Sequence, residues 1–121
     1  YPDRLAAVLP LLDWVGLDIK GPQAGYDAIT RTPGSGARAW QSLQLLLASG
    51  VDYECRTTWH EGLFDTPGLL GLAEQLARAG VVHWALQECR TPDGPPTWGL
   101  TPAQQTLLQA RFPGFVLRSG L

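Results

Sequence analysis

Asp13-Trp14-Val15-Gly16-Leu17-Asp18-Ile19-Lys20 is the stretch that decides the fold. In a β-strand, side chains alternate between two faces. Val15, Leu17 and Ile19 therefore point one way, as core beneath helices, while Trp14, Gly16, Asp18 and Lys20 point the other. This second face turns polar only at its C-terminal end. Open parallel α/β sheets and α/β barrels place ligand sites at that end of their strands. Gly21-Pro22 then stops the strand.

Working outward, Tyr1 to Leu12 carries Leu5, Val8, Leu9 and Leu12 at helical spacing. Asp3 is available to cap the start, and Pro10 ends or kinks the helix. After the opening strand, a polar, glycine-rich connection holds Tyr26, Asp27 and Ile29, enough for one helical turn, and leads to Thr32-Pro33-Gly34-Ser35-Gly36. Ser35 reads as the N-cap of a helix over 36–49, with Trp40, Leu43, Leu46 and Leu47 as its apolar stripe and Gly50 as its stop. A second strand over 51–58 places Tyr53, Cys55 and Thr57 on one face and Glu54, Arg56 and Thr58 on the other.

Thr66-Pro67 predicts an N-cap followed by proline at the first helical position. Leu69, Leu72, Ala73 and Leu76 form the buried side of that helix, and Gly80 terminates it. Residues 81–88 form a third strand ending in Gln87 and Glu88, followed by Arg90. The proline- and glycine-rich segment 91–99 is a loop by composition. Thr101-Pro102-Ala103-Gln104 combines an N-cap, an N1 proline and a capping-box glutamine. Leu107, Leu108 and Phe112 are expected to be buried behind it, and Phe115-Val116-Leu117 is a short last strand ending near Arg118.

The order is βαβαβ followed by αβ, with strand spacings of roughly thirty to forty residues, which suit right-handed parallel crossovers. The fold class is therefore α/β, with parallel strands alternating with helices in one domain over 1–121. A complete (β/α) TIM barrel takes ~250 residues, so four strands amount to about half of a TIM-like barrel. The edge beside the first strand is then left without a partner.

A net charge of -2 from 9 basic and 11 acidic residues gives no electrostatic footprint for nucleic acid or an anionic membrane. No apolar run reaches the ~20 residues that span a bilayer. No signal peptide pattern opens the chain, and a cytoplasmic location is the expectation. Cys55 and Cys89 stand far apart without a Cys-x-x-Cys pair, too few for a disulfide framework or a four-thiolate site. The chain has no methionine and opens at Tyr1 in a helical pattern, which predicts a piece of a longer protein.

Asp18 and Lys20, two apart on one strand face, read either as a ligand-binding pair or as a rim ion pair worth ~0 to 1 kcal/mol when exposed. Arg56 has Glu54 as its same-face neighbour, so ligand contact competes with an ion pair. Arg90 lies between Glu88 and Asp93, where a solvated role competes with a binding one. His60 and His83 have no partner at metal-ligand or triad spacing. Trp40 and Trp84 read as core.

Three stretches together resemble the radical S-adenosylmethionine (SAM) activating enzymes of glycyl radical enzymes. They are Asp13 to Lys20, then Pro33-Gly34-Ser35-Gly36 with its helix and Val51 to Thr58, and finally Trp84-Ala85-Leu86-Gln87-Glu88-Cys89-Arg90. The likeness is to the C-terminal half of the group that includes the activases of anaerobic ribonucleoside-triphosphate reductase and pyruvate formate-lyase. It covers nearly the whole chain in one register, including the Leu100-Thr101-Pro102 helix start.

The resemblance implies a partial (β/α) barrel with its site at the C-terminal strand ends. It implies SAM contacts from Asp18, Ile19 and Lys20, with Asp18 toward the ribose hydroxyls or a nearby cation and Lys20 toward the carboxylate. It places Arg56 on the same pocket, and Gln87 as a further contact. Arg90 falls where the formate-lyase activases have a histidine, a departure that a carboxylate-binding guanidinium accommodates.

The resemblance further implies a [4Fe-4S] cluster, held by a Cys-x-x-x-Cys-x-x-Cys loop expected upstream of Tyr1, for which Cys55 and Cys89 do not substitute. The implied partners are a glycyl radical enzyme and an electron donor such as flavodoxin. Without the cluster motif, this chain alone is expected to be inactive.

Two other classes fit the residues without the resemblance. One is a sugar-phosphate or aldolase-type α/β barrel using Lys20 as a base or Schiff-base amine. The other is a non-catalytic module docking a partner chain at the incomplete edge.

Overall fold

The computed structural model describes residues 2–59, 63–89 and 100–120. In chain order it comprises α1 (Pro2–Val8), β1 (Trp14–Asp18), α2 (Tyr26–Thr30), α3 (Ser35–Ser49), β2 (Asp52–Trp59), α4 (Thr66–Ala79), β3 (Trp84–Cys89), α5 (Pro102–Arg111) and β4 (Val116–Gly120). The four strands form one sheet in the order β1-β2-β3-β4, and every neighbouring pair is parallel. The fold is thus α/β, with four parallel strands alternating with helices.

Sequential order has a consequence for layering. Crossovers of one hand between successive neighbours put every helix on the same side of the sheet. The core agrees. Ile19 of the β1 end, Cys55 and Trp59 of β2, and Trp84 and Leu86 of β3 are buried together with Trp40 and Leu43 of α3, Leu69, Leu72 and Leu76 of α4 and Leu108 of α5. Each fully buried aliphatic side chain contributes about 1.5–3 kcal/mol. Trp84 packs at a tilt against Phe112, with ring centroids 5.2 Å apart, and donates its Nε1–H to the Thr57 hydroxyl at 3.0 Å, which satisfies a polar pair inside this layer.

The opposite face of the sheet carries Trp14, Gly16 and Asp18 from β1, Asp52, Glu54, Arg56 and Thr58 from β2, Ala85 and Gln87 from β3, and Val116 and Arg118 from β4, as alternation and strand register require. It is rich in charge. Parallel sheets are ordinarily buried on both faces, so a polar second face is the unusual feature of this chain.

Two helix starts differ from the sequence expectation. Ser35 is the first residue of α3 and Gly34, at φ 79°, is its N-cap, with no capping side chain of its own. The Asp27 carboxylate performs the capping from α2, accepting from the Gly34 and Gly36 amides at 2.8 Å each. For α4 the cap is Asp65, which accepts from Gly68 N–H, and Thr66 is already helical. The α5 capping box of Thr101 and Gln104 forms as expected.

Pro10 falls in a 3-10 turn over Leu9–Leu11, where the first helix ends early. Of the apolar stripe expected there only Leu9 is buried, while Val8 and Leu12 are exposed. Leu107, expected in the core, is 66% exposed because Leu108 takes the sheet-facing position of α5. The third strand begins at Trp84 rather than Val81. Val81 N–H bonds back to Leu76 at the end of α4, and Val82 N–H bonds to the Tyr53 hydroxyl. Among the described residues, no helix is long and apolar enough to cross a membrane.

Candidate functional site at the open face of the sheet

Asp18 ends β1 and Lys20 follows it. The Lys20 Nζ lies 3.5 Å from Asp18 Oδ2, and both side chains are more than half exposed. The pair projects from the C-terminal rim of the open face. Ile19, between them, has its side chain fully buried among the helices, and its amide donates to Arg56 O at 2.8 Å. Only the backbone of Ile19 is therefore placed to touch a ligand at this rim.

Arg56 is the register partner of Asp18 on the neighbouring strand. Its side chain nevertheless turns toward the N-terminal end of the sheet, and Nε donates to Glu54 Oε1 at 2.9 Å. The guanidinium passes over Gly16 and lies 5.0 Å from the centroid of the Trp14 ring. Gly16 makes this path possible, since a Cβ there would stand 2.9 Å from Arg56 Nη1. The structure thus places Arg56 beside the rim but directs its charge along the face.

Arg118 of β4, to which sequence reasoning assigned no site role, completes the arrangement. It donates from Nη1 and Nη2 to the two oxygens of Glu54 at 3.0 and 3.3 Å. To do so it crosses β3 near Ala85, whose methyl is the smallest side chain on that strand. Glu54 is gripped from both sides, and hydrogen bonds from Arg118 first and Arg56 second hold its carboxyl below the usual carboxylate range. One signal pointed to Arg118: it is in phase with the other charged residues of the open face. What was missing was the strand order that brings it within reach of β2.

Gln87 is half-buried on the same face, in register with Thr58 on one side and Arg118 on the other. Glu88 turns to the helix side and is buried. Arg90 and His60 lie outside the described residues. His83 packs edge-on against Tyr53 with ring centroids 5.5 Å apart, a structural contact.

Tyr26 of α2 is the second residue that sequence reasoning passed over. Its ring is buried, and its hydroxyl accepts from the Lys20 amide at 3.1 Å. Burial pushes the phenol above its usual value, the bond from Lys20 pulls it down, and the Asp18 charge adds to the rise. Tyr26 thus stands within electrostatic reach of the rim pair.

Cys55 faces the helix layer, where burial, reinforced by the Glu54 charge, pushes its thiol up to about 12. The side chain is fully buried on that side of the sheet, away from the open face. Among the described residues, no group of three or more His, Cys, Asp or Glu side chains is placed to hold a metal ion. A cleft of ≈ 760 Å³ opens at the N-terminal ends of the strands, lined by Trp14, Asp52, Glu54, His83, Phe115 and Val116 among others, opposite the Asp18–Lys20 rim.

The sequence matches no known protein-family profile and no curated protein. The geometry of the open face is what bears on function.

Proposed function

We propose that this chain forms the C-terminal half of a (β/α) barrel in a radical SAM activase and contributes part of the SAM pocket. The observation that carries the reading is the singly wound sheet whose face away from the described helices is polar and ends in the Asp18–Lys20 pair. A barrel rolled from such a sheet keeps this face inside. TIM-barrel interiors are ordinarily filled by bulky branched side chains. A lumen of Glu54, Arg56, Thr58, Gln87 and Arg118 is instead suited to a polar ligand.

The residues present fit SAM in part. Lys20 offers an ammonium to the ligand carboxylate, Asp18 accepts from the ribose hydroxyls, and Gln87 lies on the same face two strands away, while Arg56 reaches the rim only by leaving Glu54. Among the described side chains none fits a [4Fe-4S] cluster, since Cys55 is buried on the helix side, away from this site. The cluster ligands belong to the barrel half expected before β1. When bound at such a cluster, SAM supplies the radical that takes hydrogen from a glycine of the partner enzyme. The role of this chain is to bind and orient it.

The aldolase-type reading has less support. Lys20 is exposed and ion-paired to Asp18 rather than enclosed in the apolar surroundings that activate Schiff-base lysines.

Anaerobic calorimetric titration with SAM tests the proposal. The chain joined to its preceding half binds SAM, and Lys20→Ala weakens binding by roughly ten-fold or more, as loss of a charge-assisted contact predicts. Absence of a three-cysteine motif before β1 in the parent reading frame, or equal binding by the Lys20→Ala variant, removes the reading.

A further inference from the structure

The hydrogen-bonding direction of β1 gives Tyr26 its significance. Ile19 N–H bonds to Arg56 O on β2. In a parallel strand, successive residues direct their backbone groups to opposite sides, so those of Asp18 and Lys20 point away from β2, toward the strand's other edge. On that side the Lys20 amide meets the Tyr26 hydroxyl. The phenol occupies the place that a neighbouring strand would otherwise fill at this position.

The same ring is anchored independently of the rim. Tyr26 is 3% exposed and packs into the core with Ile19 and Trp40. Gly36 at the start of α3 lies against it closely enough that a Cβ there would stand 3.0 Å from Tyr26 Cβ. Asp27, the next residue, binds the Gly34 and Gly36 amides. Tyr26 therefore joins a fixed α2–α3 corner to the end of an edge strand, on the side where no described strand pairs with it.

We infer that Tyr26 is the positioning residue of the Asp18–Lys20 rim, acting through the Lys20 backbone amide to hold the strand end so that both charged side chains face the ligand. The inference rests on the ligand reading above and extends it to a residue that makes no ligand contact itself. It also sets a limit on strand pairing: a strand added beside β1 bonds at Trp14, Gly16 and Asp18, and ends before Lys20.

The test is Tyr26→Phe, which keeps the ring in the core and removes only the hydroxyl. Amide hydrogen exchange followed by NMR reads the positioning directly. Exchange at Lys20 rises by roughly five-fold, the factor for one hydrogen bond of about 1 kcal/mol, while Ile19 is unchanged because its acceptor is on β2. Unchanged exchange at Lys20, or a parallel rise at Ile19 and across the core, overturns the inference.

SAM titration supplies the second arm. Tyr26→Phe weakens binding by a similar factor when Lys20 is present and by a smaller one in a Lys20→Ala background, where only the placing of Asp18 is left to lose. Equal losses in both backgrounds overturn the inference. Failure of the unsubstituted protein to bind SAM brings down the ligand reading, and the exchange measurement then decides the role of Tyr26 by itself.

Discussion

The Arg56 guanidinium lies 5.0 Å from the centroid of the Trp14 ring, across the position that Gly16 leaves without a side chain. One end of β1 thereby takes a cation away from the other, since Arg56 is the register partner of Asp18. Three strands share the resulting arrangement, because Glu54 holds Arg56 on one side and Arg118 on the other.

Gly16→Ala tests how much of this depends on the missing side chain. The new methyl would stand 2.9 Å from Nη1, at the mobile end of a long side chain, so the guanidinium yields rather than the backbone. An exposed cation–π contact of ~0.5–1 kcal/mol is lost, while alanine in place of strand glycine returns about as much. Urea denaturation should show a net change below about 1 kcal/mol. NMR should show the Arg56 protons losing the shift imposed by the Trp14 ring.

The Glu54 carboxyl makes stability depend on acid in a defined direction. Its folded value is depressed by Arg118 and Arg56, so the stabilisation is fully present above the ordinary carboxylate value. It is lost as pH falls through the depressed folded value. Glu54→Gln removes that dependence. Thermal melts from neutral pH downward should show the substituted protein less stable at neutral pH and the two curves converging in acid.

Thr57→Val keeps the shape of the buried layer and removes its internal acceptor. Trp84 Nε1–H then has lost the partner it holds at 3.0 Å. An unsatisfied buried donor costs roughly 1–3 kcal/mol, and equilibrium denaturation should report a loss in that range. A neutral result would mean that Trp84 finds another acceptor.

Periodicity carried most of the fold, because β1, α3 and α4 each present one apolar stripe to a common layer. The parallel, sequential order was legible from the crossover lengths. Helix caps were less so: proximity in sequence pointed to Ser35 and Thr66, whereas Asp27 reaches α3 from the preceding helix and Asp65 precedes Thr66. Leu107 misled because two adjacent leucines compete for one buried position. At the site, alternation placed Asp18 with Lys20 and Glu54 with Arg56. Arg118 and Tyr26 became visible only through strand order and the path of the chain after Lys20, neither of which local patterning encodes.

Cys55 provides the last prediction, one that separates a structural thiol from a cofactor ligand. It sits on the helix side of β2, in register with Leu17 on one neighbour and Trp84 on the other. With its thiol pushed up to about 12, the reactive thiolate is scarce at neutral pH even before access is considered. Iodoacetamide at pH 8 should leave Cys55 unmodified in the folded protein and alkylate it in urea, as read by mass spectrometry of the peptide that contains it. Cys55→Ala should lower stability by about 1 kcal/mol, as for loss of a small buried group, and leave any SAM affinity of the joined protein unchanged. Alkylation of the native protein as fast as of the unfolded one would mean that the strand opens freely. Loss of SAM affinity on Cys55→Ala would return the residue to the cofactor site.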